Sequence, residues 1–128
     1  MATLLFIFAL LFSFSYKNDV TPNIKRANSI LSLPEYQDIK ESNINKIELF
    51  KVTIAGLSEP TIYTDKEDIS RIYSDFENTI LLNETTMSCE DNSTIYEIYL
   101  KDGSKKTINY ECGILVTKDK RYRIDFYE

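Results

Sequence analysis

The side chains in this sequence best equipped for chemistry are two cysteines, Cys89 and Cys112, and four nearby carboxylates, Glu59, Asp65, Glu67 and Asp68. Two thiols make an incomplete tetrahedral donor set, and the chain contains no histidine to complete it, so no metal site is expected. In an exported chain such a pair reads as a disulfide, closing a loop of about two dozen residues worth on the order of 3 kcal/mol. The alternative is a buried Cys112 acting as a small apolar residue, with Cys89 free. Without histidine, no mechanism that rests on an imidazole base is open to the protein. There is no Gly-rich phosphate loop, no CxxC and no serine in a nucleophile-elbow setting. The carboxylates are read as helix-capping and solvated groups rather than as an acid–base pair. No catalytic residue, no cofactor and no enzymatic activity are therefore expected.

These residues sit in a chain of 128 with 43% hydrophobic and 27% charged side chains and three each of Gly and Pro. That is the make-up of a folded domain, neither disordered nor of low complexity. The net charge is −5 and the basic residues are scattered. Phosphate backbones need a concentrated positive footprint, so no nucleic-acid partner is expected.

Residues 1–15 read as a targeting segment. Leu4 to Phe14 is apolar apart from Ser13, and as a helix spans only about 16 Å against a hydrocarbon core of roughly 30 Å. That suits the h-region of a signal peptide, with Ser13 and Ser15 as small residues for cleavage after Ser15. Met-Ala-Thr before it carries no Lys or Arg, and a short uncleaved membrane anchor is the alternative. Contact with a membrane is expected only through this segment. Residues 16–43, mostly polar with Pro22 and Pro34, read as a linker.

Residues 44–128 read as a single α+β domain. Lys46 to Ala55 is rich in β-branched and aromatic residues and predicts a strand, although Ile47 and Leu49 fall on the opposite parity from Phe50, Val52 and Ile54. Thr61 to Tyr63 predicts a short returning strand. Thr64 to Glu67 matches a capping box, and Ile69, Ile72, Tyr73, Phe76 and Ile80 form one apolar stripe, predicting a helix that ends near Leu82. Three alternating segments follow, Thr94 to Lys101, Lys106 to Thr117 and Arg121 to Tyr127, with apolar residues at even positions. A three-residue loop at Asp102-Gly103 and another at Lys118-Asp119-Lys120 keep those positions on one face. Parity runs unbroken through Gly113, so Lys106 to Thr117 is expected as one long strand, with Cys112 on the helix side. The predicted order is ββαβββ: one twisted antiparallel sheet with a single helix packed on one face.

The odd face of this meander then carries Ile95, Glu97, Tyr99, Leu115, Arg121, Arg123 and Tyr127. Tyrosine and arginine often anchor protein interfaces, so Glu97, Tyr99, Arg121, Arg123 and Tyr127 are candidate binding residues for a protein partner. The alternative is an ordinary solvated face held by cross-strand pairs.

The stretches NKIELFKV (45–52), TIYTDKEDISRI (61–72) and YEIYLKDGSKKTINY (96–110) make the domain resemble the small exported domains of unknown function of low-GC Gram-positive bacteria. The resemblance implies export and carries no activity or functional residue with it. The expectation is an exported or cell-envelope, non-enzymatic module that binds a protein at the cell surface. An inhibitor or immunity-type protein, neutralising one enzyme or toxin, is the alternative.

Overall fold

The computed structural model describes residues 28–89 and 92–126. The elements in chain order are β1 (Ile44–Thr53), β2 (Gly56–Leu57), β3 (Thr61–Tyr63), α1 (Lys66–Glu77), β4 (Thr79–Glu84), β5 (Ser93–Leu100), β6 (Lys105–Glu111), β7 (Ile114–Val116) and β8 (Arg121–Phe126). The strands form one antiparallel sheet in the order β2-β1-β5-β6-β7-β8-β4, with β3 also paired to β1. The helix leads the chain from β3, beside β1, to β4 at the opposite edge and covers one face on the way. This is the α+β architecture expected from the sequence, with more strands than the six-element order implied.

The helix forms over the stripe Ile69, Ile72, Tyr73 and Phe76, all buried, with Glu67 and Asp68 complementing the positive end of its dipole. The capping box does not form. Asp65, not Thr64, is the N-cap, and its side chain makes no capping bond. The helix also stops short of Leu82. Asn78 donates its amide to the Ser74 carbonyl, and the Thr79 hydroxyl donates to the Asp75 carbonyl at 2.7 Å. The β-branched and aliphatic run Thr79-Ile80-Leu81-Leu82 then leaves as strand β4 and pairs with β8. Ile80, expected on the helix stripe, is a strand residue.

The hairpin β5–β6 turns through Lys101-Asp102-Gly103 as predicted. Gly103 has φ +93°, and its amide donates to the Leu100 carbonyl. The segment after it departs from expectation. Lys106 to Thr117 is not one strand: Cys112 (φ +49°) and Gly113 (φ +77°) make a two-residue turn, and β7 folds back on β6 with Glu111 opposite Ile114 and Tyr110 opposite Leu115. A two-residue connection reverses parity, so odd-numbered Leu115 faces the helix and is fully buried. Ile114 and Val116 move to the other face. The next connection also differs from the expected three residues, since Thr117 pairs with Lys120 around Lys118-Asp119 and Leu115 lies opposite Tyr122. The second reversal cancels the first. Tyr122 and Ile124 therefore pack against the core, as expected.

The linker reading fails for residues 28–43. Three single 3-10 turns, Ile30–Ser32, Pro34–Tyr36 and Glu41–Asn43, lay Ile30, Leu31, Tyr36 and Ile39 into the core beside Phe76, Ile98 and Ile108. Ser29, also buried, holds this segment to the helix end: its hydroxyl donates to the Phe76 carbonyl at 2.9 Å and accepts from the Leu31 amide. The Tyr36 hydroxyl donates to the Thr107 carbonyl at 3.1 Å, and burial raises its pKa. The signal-peptide reading of residues 1–15 lies outside the described residues. Among the described residues, no helix is long and apolar enough to cross a membrane.

Candidate functional site

Two features of this fold stand apart from packing: the disulfide and the sheet face that the helix leaves uncovered. Cys89 and Cys112 are bonded, with Cα atoms 5.9 Å apart, as the cysteine pairing predicted. The route differs from the one expected. Cys112 is not a mid-strand residue on the helix side but the first residue of the β6–β7 turn, and it is exposed. Its left-handed backbone costs a non-glycine residue roughly 1–2 kcal/mol. The covalent link ties the loop after β4 to this turn, and the bond fits an oxidising compartment.

Strand pairing fixes what the uncovered face presents. One row across the sheet reads Phe50, Ile95, Asn109, Val116, Arg121. The next reads Leu57, Val52, Ser93, Glu111, Ile114, Arg123. None of these apolar residues belongs to the buried cluster beneath the helix, which is built from the opposite face. Phe50, Val52 and Ile95 therefore form a second, separate apolar group on β1 and β5, while Val116 and the buried Ile114 lie beyond Asn109 and Glu111 on β7. The group continues onto the β1–β2 hairpin, where Ile54 is 93% and Leu57 65% exposed. Beside Ile95, the Asn109 side-chain oxygen is buried with no hydrogen-bond partner among the described residues.

Polar residues flank this group on two sides, and nearly all are paired. On one side the Tyr99 hydroxyl donates to Glu97 at 3.1 Å and lies 3.3 Å from Glu48. Lys46 sits 4.5 Å from the centre of the Tyr99 ring and pairs with Glu48, while Lys105 pairs with Glu97. Partial burial, then the hydrogen bond to Glu97 and the two negative charges, push the Tyr99 pKa up to about 12, so its hydroxyl remains a donor through neutral and mildly alkaline pH. On the other side Glu111, on β6, pairs with Arg121, on β8, across β7 at 2.9 Å. Arg123 is exposed and makes no ion pair among the described residues.

Of the candidate binding residues, Glu97, Tyr99, Arg121 and Arg123 share this face. They do not form one patch: Tyr99 and Arg121 are three strands and about four residues apart, on the order of 19 Å. Tyr127 lies outside the described residues. Leu115, expected here, is in the core instead. The residues that sequence reasoning missed are Ile114 and Val116, assigned to the wrong face. The signal that would have placed them is Gly113, which makes a two-residue turn available between two alternating runs. Glu59, Asp65 and Glu67 are exposed at the surface, and among the described residues no three His, Cys, Asp or Glu side chains group as a metal site.

Fold and site together define a small disulfide-linked α+β domain in which one face of the sheet is left uncovered by the described residues. Comparison of the chain with protein-family models, with curated proteins and with solved structures returned no match to any of them.

Proposed function

We propose that this is an exported or cell-envelope, non-enzymatic module that binds a protein partner through the open face of its sheet. The observation that carries the reading is the layout of that face: an apolar patch of Phe50, Val52 and Ile95, flanked by ion-paired polar groups. Apolar centres with polar, wetter rims are the anatomy of protein interfaces. Because the rim charges are largely neutralised within the domain, the partner is held by apolar burial, and binding depends little on salt. The face is about 19 Å across from β1 to β8, at the small end for an interface, which fits a transient complex. The disulfide and the apolar run at residues 4–14 support export.

A photo-reactive residue tests the face directly. Placed at Ile95, it is expected to trap one discrete partner in envelope preparations, and the same probe at Thr94, on the opposite face, is not. Adding Phe50→Asp should abolish the Ile95 product with the fold intact, since Phe50 is outside the core cluster. Equal trapping from both positions, or indifference to Phe50→Asp, would refute the reading.

The β1–β2 tip favours a second reading. Ile54 and Leu57 project from the domain edge and suit insertion into a partner's cleft, as an inhibitor or immunity-type protein would do. That reading requires stoichiometric suppression of one target, lost on Ile54→Asp.

A further inference from the structure

The helix ends at Glu77, and beyond Phe76 the sheet carries aromatic residues that it covers only in part. A cleft of about 490 Å³ opens there, within the range of small-molecule sites and on the face opposite the proposed protein interface. Its floor is aromatic. Tyr96 stands edge-on to Phe76 with centroids 5.0 Å apart, and to Tyr110 at 6.0 Å. One wall is the last turn of α1, with Asp75. The other is the Cys112-Gly113 turn, held in place by the disulfide, and Lys51 on β1 closes a third side.

Asp75 and Lys51 carry opposite charges into this one cleft yet do not pair with each other. Neither side chain has an ion pair or hydrogen bond among the described residues. Asp75 lines the cleft with the floor residues, and after burial its charge is the largest cause raising the Tyr96 pKa and also helps raise that of Tyr110. A purely cationic ligand would meet Asp75 favourably and Lys51 unfavourably, and an anion would meet the reverse. A molecule bearing both charges on an apolar body satisfies both ends and lies against the aromatic floor.

We propose that this cleft binds a small zwitterion of amino-acid type, its ammonium on Asp75 and its carboxylate on Lys51, with the apolar body against Tyr96 and Tyr110. Thr94 also lines the cleft and supplies a further hydroxyl, whereas the buried Thr79 hydroxyl is already bonded to the Asp75 carbonyl. The site is independent of the protein-binding face, so either can fail without the other.

Four probes decide it on the oxidised protein, read by the ring resonances of Tyr96 and Tyr110. They are L-phenylalanine, the dipeptide Gly-Phe, phenylalanine methyl ester (no carboxylate) and N-acetylphenylalanine (no ammonium). Phenylalanine or Gly-Phe is expected to saturate the shifts, with the ester and the N-acetyl compound each weaker by about tenfold. In Asp75→Asn the advantage over N-acetylphenylalanine should vanish while that over the ester persists, and Lys51→Met should do the opposite. Both positions are exposed, so the variants retain the fold. Equal binding of all four probes, or no saturable shift from any at about 20 mM, overturns the proposal.

Discussion

A chain beginning at Ile44 is expected not to fold, whereas one beginning at Asn28 is. Ile30, Leu31 and Ile39 are 0–1% exposed, and burying three such aliphatic side chains contributes about 5–9 kcal/mol. That equals the whole net stability of many domains, about 5–15 kcal/mol. Removing the segment also strips the cover from Phe76, Ile98 and Ile108 and leaves the Phe76 and Thr107 carbonyls without the Ser29 and Tyr36 hydroxyls. Circular dichroism and dispersion of amide resonances would compare the two chains. In the full chain, Leu31→Ala should cost about 2–5 kcal/mol. A well-folded 44–128 chain would return residues 28–43 to the role of a tether.

The second large effect is loss of the Cys89–Cys112 bond. Cross-linking a loop of this length contributes on the order of 3 kcal/mol, so Cys89→Ala should lower Tm by roughly 12–24 °C for a domain of this size. The turn adds a second term that can be separated from the first. With the bond gone, Cys112 remains at φ +49°, which asparagine tolerates better than most side chains. Cys112→Asn in the Cys89→Ala background should therefore recover up to about 1 kcal/mol. Thermal melts under non-reducing conditions measure both. A Cys89→Ala melt equal to that of the parent would mean that the bond contributes nothing to stability.

The elements legible in the sequence were those with a sustained period. The α1 stripe from Ile69 to Phe76, the alternation of β5 and β6, and Gly103 in a three-residue loop all specified their structures locally. What escaped has physical reasons. Residues 28–43 fold as three-residue 3-10 turns, too short to imprint a repeat, and their apolar groups are placed by tertiary contact rather than by pattern. The helix end was overrun because Ile80 fits the helical spacing, while the decisive event is the Thr79 hydroxyl bonding back to Asp75. The candidate face was half legible. Glu97, Tyr99, Arg121 and Arg123 were put on the right side, but the β6–β7 turn hid within an unbroken alternation, because two parity reversals one strand apart cancel. Only the four residues between them, Ile114 to Thr117, change faces, and they decide what β7 adds to the open face.

Assigned methyl and ring resonances test that point most directly. With the chain reversing at Cys112-Gly113, the Leu115 methyls should show strong nuclear Overhauser contacts to the rings of Tyr110 and Tyr122, and the Val116 methyls to the Asn109 side chain. Contacts from the Val116 methyls to the Tyr110 ring, with Leu115 remote from it, would place Val116 beneath the helix and Leu115 on the open face, contradicting the reversal.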